Sequence, residues 1–259
     1  MVKEYRALNL TEFAAAVEES AANSGGVKLW FRGSADREKY KLLPSLYRRP
    51  DLNDFSDFQK IEKYMIGDFR YRSPPFIADL PTSDLELLFL MQHYGVPTRL
   101  LDWTENPFVA LFFAVLQSFS NLPEDVDAAV WAINPKLMNE FSLKHISHHG
   151  GAIQISDSSA RGYKPDSDEI NAEPVAIFGV HNSARIVAQR GVFVIFGKNL
   201  SPLDQNQELL ATGALSVIVI PHDQRPTLRE GLQAIGLTDS TVFPDLDGLA
   251  REIRRRYQY

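Results

Sequence analysis

Hydrophobic positions in the first half of the chain recur at helical spacing, and those in the second half cluster in short runs. Phe13, Val17 and Ala21 lie four apart, which predicts a helix over Asn9–Ala22. Thr11 suits its cap and Glu12 its first turn. Asn23-Ser24-Gly25-Gly26 ends it, and Val27–Phe31 reads as a strand that stops at Gly33. Phe55, Phe58, Ile61, Tyr64, Met65 and Phe69 predict a helix over Asp54–Tyr71. A further helix is expected from Ser83 to Tyr94, broken by Gly95-Val96-Pro97. Leu100-Leu101 is too short to assign. Asn106-Pro107 starts a helix over Phe108–Phe119 that is apolar on nearly every side and therefore buried.

The second half reads as strand-rich. Ala128–Ile133, Pro174–Phe178, Gly191–Phe196 and Ala214–Ile220 are dominated by Val, Ile and Phe. Between Lys144 and Glu173 lies a polar stretch that reads as a long loop, either without regular structure or with a short helix in it. Helices are expected over Pro226–Leu237 and Leu246–Tyr257, the second ending in Arg251, Arg254, Arg255 and Arg256. No repeat or linker interrupts the pattern. The expectation is a single α+β domain with its helices mainly in the N-terminal half.

Composition narrows the classes. An apolar share of 44% in 259 residues is enough to bury a core without staples. No apolar run is long enough to span a membrane. The absence of cysteine removes disulfides, thiolate metal sites and a thiol nucleophile. With no apolar leader in MVKEYRALNL, a cytoplasmic protein is expected. A net charge of -6 means that polyanions would need a local basic patch. His145, His148 and His149 have helical ligand spacing, but neighbouring Gly150-Gly151 predicts a loop, and no metal is expected. No Walker loop, Gly-x-Gly-x-x-Gly or Gly-x-Ser-x-Gly motif occurs.

Chemistry concentrates in three windows. In Trp30-Phe31-Arg32-Gly33 a strand ends in a guanidinium, a planar charged fork suited to phosphate or carboxylate. In Gln92–Pro107, His93, Tyr94, Arg99, Asp102 and Thr104 crowd between two apolar helices, so some of these polar groups must be buried and hydrogen-bonded. His93 is a candidate acid or base, and Arg99 and Asp102 are placed to pair. In Arg185–Phe193, Gln189 stands just before a strand and offers an amide to a ligand.

Together these windows resemble the FRG domain, a bacterial family named for its Phe-Arg-Gly. The matching pieces are Phe31-Arg32-Gly33, Leu43-Pro44-Ser45-Leu46 with Arg48, and Gln92-His93-Tyr94-Gly95 with Pro97–Thr104. Phe112-Phe113-Ala114, Arg185 with Gln189, and Val242–Leu249 follow. The likeness runs from about residue 27 to 250, so residues 27–259 are expected to form the domain, with residues 1–26 an N-terminal helix of the same unit. More distantly, the chain is similar to ADP-ribosyltransferases of the Arg-Ser-Glu type. That likeness implies a split β core with NAD as substrate. It casts Arg32, Gly33, Tyr94, Arg99 and Thr104 as binding residues and His93, Asp102 and Gln189 as catalytic ones. The implied activity is ADP-ribosyl transfer or NAD hydrolysis by a toxin or phage-defence effector. Its implied partners are a nucleotide, a protein or nucleic-acid acceptor, and an antitoxin or defence partner, with no membrane.

The family's Ser-Thr-Ser is missing, and its Glu-x-Glu position reads Ala188-Gln189-Arg190. A neutral Gln can bond a ribose hydroxyl but cannot stabilise a cationic centre by charge. Either Asp102, Glu169 or Glu173 supplies that charge, or the domain binds a nucleotide or nucleic acid without turnover.

Overall fold

A computed structural model describes residues 2–116, 125–167, 169–180 and 183–257. In chain order the elements are β1 (Lys3–Arg6), α1 (Leu10–Ala22), β2 (Trp30–Ser34), α2 (Phe55–Arg72), α3 (Asp84–His93), β3 (Leu100–Thr104), α4 (Pro107–Val115) and β4 (Ala128–Ile133). There follow α5 (Pro135–Ser142), β5 (Ile153–Gln154), β6 (Val175–Phe178), α6 (Ala184–Gln189), β7 (Gly191–Ile195), α7 (Gln207–Ala211), β8 (Leu215–Ile220), α8 (Arg225–Ala234), α9 (Asp239–Val242) and α10 (Leu246–Arg256). The eight strands form one open sheet in the order β1-β8-β4-β2-β3-β7-β6-β5. The outer pairs β1/β8 and β5/β6 are parallel, and the five inner pairs are antiparallel.

Several expected elements are found with shifted ends. Asn9, not Thr11, caps α1, accepting from the Glu12 amide. The strand expected at Val27 begins at Trp30 and runs through Arg32, Gly33 and Ser34, because those polar residues pair with Trp131, Val130 and Ala129 of β4. The helices are not mainly N-terminal: among the described residues six of ten follow β4, and four of those have eight residues or fewer. Elements that short complete too few turns to impose a period on the sequence. The expected continuation of α4 through residues 117–119 lies outside the described residues. Among the described residues no helix is long and apolar enough to cross a membrane.

One face of the sheet carries a continuous core that includes Trp30, Leu101, Trp103, Trp131, Val194 and Val217. The other face carries two cores. Over the β1-β8-β4-β2 half, α1, α4 and α8 bury Phe13, Phe112 and Leu228 with Phe31 and Val130. Over the β3-β7-β6-β5 half, α3 buries Leu88, Phe89 and Met91 with Leu100, Phe193 and Ile177. The boundary between these cores falls where β2 meets β3. That junction has a single bridge pair, Phe31 with Thr104, against five pairs between β2 and β4 and five between β3 and β7. Beyond the bridge the two strands splay apart.

Gly33 lies on the splayed side. A Cβ there would stand 2.0 Å from the Ala110 carbonyl oxygen and 2.7 Å from the Ala114 nitrogen. Both are backbone atoms of α4 and cannot rotate away, so Gly33 serves the seating of α4 on β2. Gly33→Ala is therefore expected to cost about 1–3 kcal/mol or more by overpacking. A thermal melt checks it, and a midpoint within about 1 °C of the parent contradicts this packing.

Candidate functional site

The splay opens into a cleft of about 270 Å³ bounded by β2, β3, α3, α4, α6 and β7. Six sequence candidates converge on it: Arg32, Gly33, His93, Asp102, Thr104 and Gln189. Phe89, Phe113 and Phe193 supply apolar wall.

Local structure sets each position. α3 ends at His93 because Gly95 adopts a φ of 78°, and the Val96 amide turns back to the Met91 carbonyl at 3.0 Å. Its last turn thereby brings Gln92 and His93 to the cleft. Along β3 the side chains alternate, so Asp102 and Thr104 share one face while Leu101 and Trp103 take the other. Arg32 Nη1 donates to the main-chain carbonyl of Asp102 across the splay. The other donors of its fork have no protein partner among the described residues.

A polar relay orients Asp102. The Leu100 amide donates to Thr98 Oγ1 at 3.1 Å, the Thr98 hydroxyl donates to Gln92 Oε1 at 2.6 Å, and Gln92 Nε2 donates to Asp102 Oδ2 at 2.8 Å. Thr104 has a different task. Its hydroxyl donates to the Gln189 carbonyl at 2.5 Å and accepts the Asn106 amide at 2.9 Å. It ties the ends of β3 and α6 to the start of α4, and its one proton is engaged. Gln189 ends α6 just before β7, and its Nε2 donates to the Val242 carbonyl at 3.1 Å. Its Oε1 accepts no bond among the described residues.

Among the described residues Asp102 is the only carboxylate lining the cleft, and it faces two guanidiniums, Arg32 and Arg185. Burial draws the Arg32 guanidinium down to about 10, with Asp102 opposing and Arg48 adding to the fall, so Arg32 stays charged at neutral pH. Burial also lowers Arg185 and Arg48, and Asp102 again opposes. Arg185 packs its guanidinium over the Phe243 ring at 4.7 Å and makes no hydrogen bond among the described residues. His93 is held below its ordinary value by burial first and by Arg185 second, against Asp102. The imidazole is thus neutral at pH 7. Two cationic forks with free donors, one acid and one neutral base can hold an anion and move a proton beside it.

Two sequence candidates are not in the cleft. Arg99 is 1% exposed and is buried against Glu62, itself 2% exposed, at 3.1 Å. Its fork also donates to the carbonyls of Tyr163 and Phe196. It does not pair with Asp102, because strand residues three apart point to opposite faces. Tyr94 caps α3, is 66% exposed, and lines a separate pocket. Of the two alternative acids, Glu173 binds the amides of Asn199 and Asn206, and neither it nor Glu169 lines the cleft. Among the described residues no group of three His, Cys, Asp or Glu side chains could hold a metal ion.

Gln92 and Arg185 are the polar side chains of the cleft that sequence reasoning left out of its site, along with the phenylalanines of its wall. Both polar residues lie in the polar windows Gln92–Pro107 and Arg185–Phe193. Gln92 shares the last turn of α3 with His93, and Arg185 lies four residues before Gln189 on a helix too short to show a period.

The electrostatics give a signed expectation. By NMR titration His93 should show a midpoint below the ordinary ~6.5. Arg185→Gln should raise it by removing a cation, and Asp102→Asn should lower it by removing an anion. A His93 midpoint at or above the ordinary value, or shifts of the opposite sign, contradicts the geometry described.

No curated protein and no solved structure matches the chain. A family model, the FRG domain, matches residues 27–122. The matched span carries Arg32, Gly33, Gln92, His93, Asp102 and Thr104, six of the residues that line the cleft, and ends before Arg185 and Gln189. That span, which contributes β2, α3, β3 and α4 to the walls, is what the chain shares with the FRG domain family.

Proposed function

We propose that the cleft binds the diphosphate and nicotinamide side of NAD and breaks the nicotinamide–ribose bond, passing ADP-ribose to a macromolecular acceptor or to water. The observation that carries this reading is the convergence of Arg32, Arg185 and the single carboxylate Asp102 at the splay between β2 and β3. The splay also supports the likeness to the split core of ADP-ribosyltransferases.

In this reading Arg32 and Arg185 hold the phosphates through their free donors. The C1′–N bond breaks with its electron pair leaving on nicotinamide, and C1′ becomes oxocarbenium-like. Asp102, held by Gln92, faces that positive charge. Neutral His93 takes the proton from the acceptor or water as its oxygen bonds C1′. Gln189 Oε1 accepts from a ribose hydroxyl, and the phenylalanine walls pack the nicotinamide ring. A toxin or phage-defence setting, with an antitoxin or defence partner, belongs to this reading through the resemblance.

One observation favours a second reading, nucleotide or nucleic-acid binding without turnover. The residue at the expected glutamate position is Gln189, and its amide nitrogen is tied to Val242.

NAD labelled in its adenylate half, incubated with cell extract and the protein, tests both readings. Nicotinamide release is expected, with Asp102→Asn lowering kcat by about 10²-fold, the scale of one lost electrostatic stabiliser. Arg185→Ala is expected to raise KM more than it lowers kcat. Saturable NAD binding with no release supports the second reading, and full activity in Asp102→Asn sinks the first.

A further inference from the structure

A second cavity, of about 630 Å³, lies between the C-terminal half of α2, residues 73–77 and the end of α3. It is more than twice the volume of the cleft and differs from it chemically. Met65, Phe69, Leu90 and Val96 form apolar walls. Phe76, 88% exposed, and Tyr94, 66% exposed, stand at its rim with aromatic surface open to water. A concave apolar surface continued by exposed aromatic rings has the make-up of a small-molecule site.

Three features define what would fit. First, the rim offers two flat aromatic faces, which favour a planar ring over a flexible chain. Second, Ser73 lines the cavity and is more than nine-tenths buried, and its hydroxyl has no hydrogen-bond partner among the described residues. Its backbone already closes α2 and the following turn, through the Ser73 amide to Phe69 and the Phe76 amide to Ser73, so the hydroxyl is surplus to the fold. Third, the charges lining the cavity are Asp68 and Arg72, of opposite sign, and neither makes an ion pair among the described residues. The mouth therefore carries no net charge, in contrast to the cationic cleft.

We propose that this cavity binds a neutral, planar, largely apolar molecule that accepts a hydrogen bond from Ser73. The site is independent of the cleft. They meet only at α3, where the rings of His93 and Tyr94 pack edge to face at 5.0 Å.

Nile red, a neutral planar dye with a ring carbonyl, serves as the probe for the intact protein. One saturable site with blue-shifted emission is expected. Phe76→Ala and Tyr94→Ala should each weaken binding about fivefold, the scale of a lost aromatic contact. Both side chains are exposed, so neither truncation threatens the fold. Ser73→Ala should weaken binding about threefold, the scale of one net hydrogen bond. Anilinonaphthalene sulfonate, similar in ring size but anionic, should not displace the dye at equal concentration. Absence of saturable binding, or binding indifferent to both aromatic truncations, overturns the site. Binding unchanged in Ser73→Ala overturns the role of the hydroxyl, and displacement by the sulfonate overturns the assignment of a neutral ligand.

Discussion

The site depends on the incomplete pairing of β2 with β3. Each strand is fully laddered to its outer neighbour, so neither can move toward the other without breaking five pairs. Between them only Phe31 and Thr104 bridge. A splayed sheet leaves main-chain groups without partners, and such groups are costly when buried. Arg32 meets part of that need by donating to the Asp102 carbonyl, where a closed ladder would have used a backbone amide. The guanidinium is thus fixed in the gap with most of its fork still open.

Other parts of the fold hold this gap in shape. Gly33 lets α4 sit directly on β2, and α4 in turn receives its first turn from Asn106, which is bound to Thr104. On the opposite flank, α3 delivers Gln92 to Asp102. The start of β3 is anchored by the buried Arg99–Glu62 pair, where burial pushes the Glu62 carboxyl up and Arg99 pulls it down. Removing one member of such a pair costs about 3–5 kcal/mol, since the other is left buried and uncompensated. Arg99 therefore serves the site through the frame around it, without touching the cleft.

Arg32, His93, Asp102 and Thr104 were legible in the sequence because strongly polar types stand there among apolar elements. Their direction was not. Tyr94 follows His93 directly, yet the helix ends between them and sends the two rings to different cavities. Arg99 and Asp102 share a turn region in the sequence but obey strand alternation in the fold. Strand β1, with three of four residues exposed at the sheet edge, has no apolar pattern to reveal it. Helix α6 is six residues long and held by its Ser183 cap, so neither its existence nor the inward side of Arg185 could be read from periodicity. What closes the cleft comes from chain segments about 80 residues apart, and a single sequence does not record that meeting.

Arg32 and Arg185 line one cleft with Asp102, and the proposed anion site rests on both guanidiniums. The most direct measurement is a crystal structure of the protein with ADP-ribose. The account predicts the diphosphate bound by both guanidiniums and the terminal ribose beside Asp102. Diphosphate bound elsewhere, or bound in the cleft without contact to Arg32 and Arg185, contradicts it.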